Sequence, residues 1–313
     1  MIKYLAKRIG RSLITLVIII SVVFILMRMM PIEGYFQNFD KMTDAQIQAG
    51  LEAQGLLDPM PVQLGRFFKN MFQGDLGVSH GYRNNVPVTE ILAEKVPISI
   101  QLGSLSILVS LVLGIPMGTM MARYKGKWVD KLGTLFIVFI QAVPAAVYYL
   151  LFQLYGTLIL DIPLLFDPSN WKSWILPVIS MALGNIAYYA MWLRRYMVDE
   201  SNKDYVRLAR AKGASGNTIM FRHIFRNAFV PMVQYLPSSF LDTVIGSIYI
   251  ESLYSVPGMG GLLVQVIKAN DNNMVQAIVL LYATVGVIGL LLGDIMMTVL
   301  DPRISFGTKE GGR

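Results

Sequence analysis

The chain has 313 residues, of which 54% are hydrophobic and only 15% charged, and its mean hydropathy is +0.53. A soluble domain carries nearer a quarter of charged residues, so this composition is typical of a protein that crosses a membrane several times. The absence of cysteine excludes disulfides and thiolate sites, and two histidines far apart argue against a catalytic metal centre. The net charge of +7 does not indicate nucleic-acid binding, because the basic residues lie between apolar runs.

Apolar runs predict an all-α polytopic membrane protein. A bilayer core of about 30 Å requires roughly 20 consecutive apolar residues in a helix. Six segments meet this requirement, at residues 12–30, 98–121, 132–154, 174–193, 229–250 and 276–300. The basic start of the first segment is also typical of a secretory signal peptide. Its apolar run is longer than that of such a peptide and no small-residue cleavage site follows it, so we expect a retained anchor.

The charges in the gaps predict the orientation. If six helices alternate, nineteen of the 27 lysines and arginines fall on one side, while most acidic residues between the helices fall on the other. The positive-inside rule then places both termini in the cytoplasm of a multi-pass protein of the cell (cytoplasmic) membrane. We therefore expect two domains: residues 1–96, a transmembrane helix with a small extracytoplasmic domain, and residues 97–313, the transmembrane core.

The external region between the first two spans predicts two short helices. Thr43 is a suitable N-cap for a helix that ends at Gln54, and a second apolar face follows over residues 62–72. The sequence Gly-Asp-Leu-Gly at 74–77 interrupts the pattern. This small domain is either a docking surface for a delivery protein or a structural cap on the membrane mouth.

The basic segment at residues 199–228 predicts a short cytoplasmic helix. Ser201 and Asp204 have the spacing of an N-terminal capping arrangement, and Gly213 stands where a C-terminal cap is expected, so the helix covers residues 203–212. Such a short helix is only marginally stable in water and requires something to pack on. A second helix over residues 217–229 leads into the fifth span.

The faces of this helix favour a docking role over a simple solvated basic loop. Tyr205, Leu208 and Ala209 are expected to share one side, while Arg207 and Arg210 point elsewhere. Nucleic-acid binding lacks an aromatic stacking platform. No GxxxxGK[ST] phosphate loop occurs in the chain, so we expect no nucleotide site and no enzymatic activity of its own. The energy for its action is then supplied by a separate ATPase.

Six motif groups in fixed order resemble one family of membrane proteins. They are GDLGVS at 74–79, VP at 86–87 and 96–97, GIPMG at 114–118, ARAKG at 209–213 with RH at 222–223 and RNA at 226–228, Glu251 with PGMG at 257–260, and Asp294 with DPR at 301–303. On these motifs the chain resembles the B-type permease subunit of oligopeptide/dipeptide ABC importers, with nickel-importer permeases as close relatives.

The resemblance implies a type I ABC importer transmembrane fold and a set of partners. These are a C-type permease subunit forming a heterodimer, two cytoplasmic ABC ATPases that carry ATP and Mg, and an external peptide-binding protein; the chain itself binds lipid but no nucleic acid, metal or cofactor. The general importer motif begins with Glu-Ala-Ala, whereas this chain has Arg207, Leu208 and Ala209 there. Only the last alanine and Gly213 fit, as in the peptide branch.

The resemblance also implies site residues. The segment that couples to the ATPase comprises Asp204, Tyr205, Arg207, Leu208, Ala209, Arg210, Ala211, Lys212, Gly213 and Ala214. The external family motifs comprise Gly74, Asp75, Gly77, Glu251, Pro257, Gly258 and Gly260.

Polar residues inside the spans are costly and suggest a translocation path. Asp242, with Ser239 nearby, either lines the path or forms a packing hydrogen bond between helices. Gln141 and Asn185 are further candidates for cavity-facing positions, although packing explains them as well. Asp294 lies toward the cytoplasmic end of the last span and is expected to pair with a basic residue.

The sequence therefore predicts the transport subunit of an ATP-driven importer of short peptides. The nearest alternative is a permease for nickel chelates, against which the scarcity of histidine argues. An ion-coupled secondary transporter is an alternative of a different class, but inverted repeats and paired midplane charges are not evident. A membrane enzyme lacks a catalytic constellation in this sequence.

Overall fold

The computed structural model describes residues 2–36, 39–244 and 246–300, and the regular secondary structure of this part of the chain is helical apart from one isolated β-bridge between Val78 and Pro87. The helices are α1 (Ile2–Arg28), α2 (Asp44–Ala53), α3 (Met60–Phe72), α4 (Val88–Arg123), α5 (Trp128–Ala142), α6 (Ala145–Leu160), α7 (Ile175–Ser201), α8 (Asp204–Ala211), α9 (Gly216–Thr218), α10 (Arg226–Val233), α11 (Leu236–Val244), α12 (Ile248–Leu253), α13 (Met259–Lys268) and α14 (Asn272–Leu300). A π-helical stretch, Ile219–Phe225, joins α9 to α10.

Four helices in the described ranges are long and apolar enough to span a membrane, namely α1, α4, α7 and α14. The predicted third span is not one helix. It consists of α5 and α6, which meet at an angle of 110° around Val143 and Pro144. Proline has no backbone N–H and restricts the residue before it to extended conformations, so the helix ends at this point.

The predicted fifth span, residues 229–250, is also not continuous. It is divided among α10, α11 and α12. Pro231 and Pro237 remove backbone donors on both sides of the break at Gln234 and Tyr235. Gly246, with φ +98°, then turns the chain in a conformation that a residue with a side chain rarely adopts. The apolar composition of the segment is that of a membrane span, but its prolines and glycine divide the span into shorter helices.

The pair α4 and α7 forms the most extensive helix contact in the bundle. Two glycines of the GIPMG motif make this contact possible. A Cβ atom at Gly114 would lie 3.0 Å from the carbonyl oxygen of Ile186, and one at Gly118 would lie 2.7 Å from that of Ala190. Any larger residue at these positions would push α4 away from α7, so the motif sets the spacing of the two helices.

The two ends of the bundle differ. At one end, α1 begins and α14 ends, and Arg8 forms a salt bridge with Asp294, as the sequence predicted for this aspartate. The other end carries α2 and α3. There, Thr43 caps α2 as predicted, in a reciprocal capping box with Gln46. The Asn272 side chain donates to the carbonyl oxygen of Pro31 at 3.0 Å and holds the segment after α1 against the start of α14.

Candidate functional site

The helix predicted at residues 203–212 is present as α8. Lys203 is its N-cap and provides no side-chain cap, so the predicted capping role of Ser201 is wrong. The Ser201 hydroxyl instead donates to the Val198 carbonyl within the last turn of α7. At the other end, Gly213 has φ +76°. The bonds from Gly213 N to Arg210 O (3.0 Å) and from Ala214 N to Ala209 O (3.1 Å) form the Schellman arrangement that ends a helix.

One face of α8 is anchored in the protein interior. Val206 is fully buried in a hydrophobic cluster that includes Leu193 and Met197 of α7 and Ile224 of the π-helical stretch. Burying a valine side chain stabilises this contact by about 1.5 kcal/mol or more. Val206 was not among the residues predicted for this site. Only its place directly after Tyr205, in a stretch that is mostly polar, indicates in the sequence that its side chain is buried.

A hydrogen-bond network also fixes Tyr205. Its hydroxyl donates to the Glu200 carboxylate at 2.5 Å and accepts from the Asn227 side chain at 3.0 Å. Burial raises the pKa of the Tyr205 phenol, so the phenol stays protonated and remains a donor to Glu200. This network ties α8 to the end of α7 and to the start of α10.

The opposite face of α8 is exposed. Arg207, Arg210, Ala211, Lys212 and Gly213 all face outward. The prediction that Leu208 shares one side of the helix with Tyr205 and Ala209 is wrong. The Leu208 side chain is 56% exposed, whereas Ala209 packs on the buried cluster. The reason is the helical period, because the centre of the buried face lies between Tyr205 and Val206. An apolar side chain surrounded by cations and small residues is suited to contact another protein.

The loop between α4 and α5 is held in place by a bidentate ion pair. The Arg194 guanidinium of α7 donates to both oxygens of Asp130, at 2.5 and 2.8 Å, and the Gly126 amide donates to the same carboxylate at 2.8 Å. Asp130 is 4% exposed. Such paired, planar contacts are among the stronger polar interactions, so the loop between α4 and α5 is fixed to the base of α7.

At the other end of the bundle, Glu251 organises the start of α13. Its fully buried carboxylate accepts hydrogen bonds from the Ser99 hydroxyl (2.8 Å), the Gly260 amide (2.6 Å) and the Gly261 amide (3.1 Å). The Ser99 hydroxyl in turn accepts from the Met259 amide at 2.8 Å. These are the first amides of α13, which have no partner within their own helix and which favour a negative charge. Glu251 and Ser99 therefore cap α13 from α12 and α4.

The glycines of the PGMG motif are explained by this cap. A Cβ atom at Gly258 would lie 2.5 Å from the Ser99 hydroxyl oxygen, and one at Gly260 would lie 2.7 Å from the backbone nitrogen of Ile248. Pro257 precedes them at the turn into α13. The motif thus brings the backbones of α12 and α13 into direct contact around the carboxylate.

The GDLGVS motif is attached to the first residues of α14. Asp271 accepts, through one carboxylate oxygen, the Ser79 hydroxyl at 2.5 Å and the amides of residues 80–82 at 3.0–3.1 Å. Its other oxygen accepts the Met274 amide at 3.1 Å and so caps α14. Asn273 donates to the Val78 carbonyl at 2.9 Å. Asp271 therefore joins the loop before α4 to the start of α14.

The first residues of the GDLGVS motif form a tight turn. Gly74 and Gly77 have φ of +79° and +83°, in the left-handed region that glycine tolerates. The Asp75 carboxylate accepts the Gly77 amide at 2.8 Å. The motif is thus a local turn that presents Ser79 to Asp271.

Replacing Asp271 with alanine should release the loop before α4. Three amides and one hydroxyl of this loop would lose their acceptor, as would the Met274 amide of α14, and each unsatisfied group costs about 1–3 kcal/mol. We expect trypsin to cleave after Arg83 at least about 30-fold faster, because local opening then requires less free energy. The control is Asp75→Ala, which removes one hydrogen bond from the same loop. Equal cleavage rates of the two variants would contradict the assigned role of Asp271.

The four candidate path residues do not form one cluster. Asn185 donates to the Thr243 hydroxyl at 3.2 Å, and this hydroxyl donates to the Ser239 carbonyl at 2.6 Å, so α7 and α11 meet there. Asp242 is exposed on α11. Gln141 lies elsewhere, exposed at the end of α5, with its amide 3.3 Å from the Met191 sulfur. The structure thus brings Asn185 and Ser239 together, leaves Asp242 on an adjacent exposed position and separates Gln141 from them.

The family model of binding-protein-dependent transport system inner membrane components matches residues 114–306. A model of the N-terminal part of the membrane component of such systems matches residues 1–103. The chain belongs to this family. It is therefore a permease component of a transport system, and its long apolar helices make it a multi-pass protein of the cytoplasmic membrane.

Curated relatives of the permease cover it to different extents. The dipeptide transport system permease protein DppB of Lactococcus lactis is 33% identical over 97% of this chain and 99% of its own length. The oligopeptide transport system permease protein OppB of Haemophilus influenzae is 30% identical over 98% of this chain and 100% of its own length. The oligopeptide permease AmiC of Streptococcus pneumoniae is 36% identical over 67% of this chain, which spans only 43% of AmiC.

A solved structure shows the same fold. The crystal structure of an amino acid ABC transporter with histidines matches the permease with a TM-score of 0.50 and 16% identity, over 69% of this chain and 95% of that one. This likeness concerns the helical fold of ABC transporter permeases alone.

Sequence reasoning missed several residues that organise these sites. Asp271 had a usable signal, because an Asp-Asn-Asn run directly before a long apolar helix is typical of an N-cap. Ser99, in contrast, gave no signal, since its partner is 152 residues away. The predicted ending motif Asp301-Pro302-Arg303 lies outside the described residues.

Proposed function

We propose that this permease is the B-type subunit of an ATP-driven importer of short peptides. Support comes from relatives that align over nearly their full lengths and are named for dipeptide and oligopeptide transport. On this proposal the chain pairs with a C-type permease, two cytoplasmic ATPases and an external peptide-binding protein. ATP and Mg are held by the ATPases, and this chain has no nucleotide site of its own.

We propose a six-crossing topology with both termini in the cytoplasm. The bent pair α5–α6 and the segment α10–α12 each supply one crossing in addition to the four long helices. Two observations support this arrangement: the Arg8–Asp294 salt bridge joins the start of α1 to the end of α14, and nineteen of the 27 lysines and arginines fall on one side if the helices alternate. The segment with α2 and α3 then lies outside, where it is available to the binding protein.

The observation that carries the coupling role is the two-sided character of α8. Its inner face holds Val206 and the Tyr205 network, while its outer face presents Leu208 with Arg207, Ala211 and the glycine turn at Gly213. We propose that the outer face enters a groove of one ATPase. Closure of the ATPase pair then pushes α8, and the Tyr205 network passes this movement to α7 and α10, which changes the path from outward- to inward-open.

We propose that Asp242, Ser239 and Asn185 line the translocation path near the meeting of α7 and α11. The exposed carboxylate of Asp242 is suited to a peptide amino terminus or basic side chain. Gln141 is also proposed for the path, although its place beside Met191 supports a packing role equally.

Transport by the reconstituted complex tests this proposal. The permease is assembled with its partners in vesicles, and uptake of labelled dipeptides, tripeptides and longer peptides is measured with and without ATP. ATP-dependent peptide uptake is expected, with no effect of nickel. ATP-dependent uptake of a nickel chelate without peptide uptake would favour the nickel alternative, and uptake driven by an ion gradient without ATP would contradict the importer class.

A further inference from the structure

A cavity of about 670 Å³ lies between α1 and α14, at the end of the bundle where α1 begins. It is separate from the α8 surface and from the Glu251 and Asp271 sites. Its walls are formed by Lys7, Arg8, Arg11, Ser12, Thr15, Gln234, Val287, Leu290 and Asp294.

The polar wall of this cavity carries an excess of positive charge. Three cations face one acid, and Arg8 is the cation that pairs with that acid, Asp294. Lys7 and Arg11 lie one helical turn apart, and no acid within the described ranges forms a salt bridge with either of them. The cavity therefore has the charge and the donors to bind an anion.

The remaining wall of the cavity is apolar. A ligand that carries an apolar part therefore fits it better than a small soluble anion. Val287 and Leu290 of α14 complete the cavity, and Leu290 is exposed. On α1, exposed apolar residues begin with Ile9, between the cations, and continue from Leu13 onward. The cations thus lie at the edge of the hydrophobic stretch, where the phosphates of the adjacent lipid leaflet are expected.

We propose that this cavity binds the headgroup of an anionic phospholipid, with its phosphate at Lys7 and Arg11 and its acyl chains along Leu290 and the exposed face of α1. The hydroxyls of Ser12 and Thr15 add neutral donors for phosphate or glycerol oxygens. The lipid then bridges the first and last transmembrane helices next to their salt bridge.

Lipid titration of the purified full-length chain tests the proposal. Phosphatidylglycerol or phosphatidylcholine is added to delipidated protein in an uncharged detergent, and bound lipid is counted by native mass spectrometry. We expect preferential retention of phosphatidylglycerol. The double variant Lys7→Gln/Arg11→Gln, which keeps the Arg8–Asp294 pair, should bind it about 30-fold more weakly, at about fivefold for each cation lost.

The matched control is Lys125→Gln/Lys131→Gln, which removes two exposed cations outside the cavity and should leave lipid binding unchanged. In the unmodified protein, raising the salt from about 0.05 M to about 0.5 M should weaken phosphatidylglycerol binding. Four results would overturn the proposal. They are equal binding of the two lipids, wild-type affinity in the cavity variant, displacement of the lipid by millimolar inorganic phosphate, and lipid binding that does not change with salt.

Discussion

Leu208→Glu is expected to abolish ATP-driven uptake while leaving the permease folded and inserted. In the proposed complex the leucine leaves water on docking, which contributes about 1.5–3 kcal/mol, and a glutamate there would bury a charge among groups selected for an apolar contact. ATPase binding should weaken by at least about 2 kcal/mol, or roughly 30-fold. The measurement is retention of the ATPases by the tagged, detergent-solubilised permease, together with uptake in vesicles.

A leucine at the other end of the molecule provides the control. Leu57 has the same exposed fraction as Leu208, 56%, and lies in the segment between α2 and α3. Leu57→Glu should leave ATPase retention unchanged, because in the proposed topology this segment lies on the opposite side of the membrane from the ATPases. Ala209 is less suitable for such a test, since its side chain packs on the buried cluster and enlargement would disturb the fold. Full ATPase retention by Leu208→Glu would show that α8 docks through another face or not at all.

Glu251→Ala is expected to destabilise the permease by about 3–5 kcal/mol. The change leaves the Gly260 and Gly261 amides and the Ser99 hydroxyl without their buried acceptor, and it removes the charge that stabilises the start of α13. The measurement is the thermal unfolding midpoint of the full-length chain in detergent.

Two milder variants separate the carboxylate from its neighbours. Ser99→Ala removes one of the three bonds to the carboxylate and also leaves the Met259 amide without its acceptor, so it should cost about 2 kcal/mol. Glu251→Gln keeps the shape, and its oxygen can still accept the two glycine amides while its NH2 group donates to the Ser99 hydroxyl, so it should cost less than Glu251→Ala. A midpoint for Glu251→Ala within error of that for Ser99→Ala would refute the cap. Such a result would mean that the glycine contacts alone hold α12 on α13.

Several features of this protein were readable from local sequence. Long apolar runs such as 98–121 and 276–300 predict membrane helices because the bilayer demands a length and polarity that few other structures need. Thr43 and Gly213 likewise marked a start and an end, since capping depends on the nearest residues of the chain.

The sequence was less informative where two local rules compete. Residues 229–250 are apolar enough for a span, yet Pro231, Pro237 and Gly246 divide them into three helices. The prediction for Leu208 of α8 failed for a similar reason, because little in a short helix indicates which side is buried. In eight residues a single valine decides which side is buried, and composition alone gives little weight to one side chain.

By itself, the sequence determined that this chain is a helical membrane protein and where its short α8 helix lies. Only the tertiary structure decided which polar residues meet. Glu251 finds Ser99, Asp271 finds Ser79, and Arg8 finds Asp294 across separations of 152, 192 and 286 residues. Such pairs leave no periodic signal in the sequence, because their contact depends on how the helices pack and not on the chain around each residue.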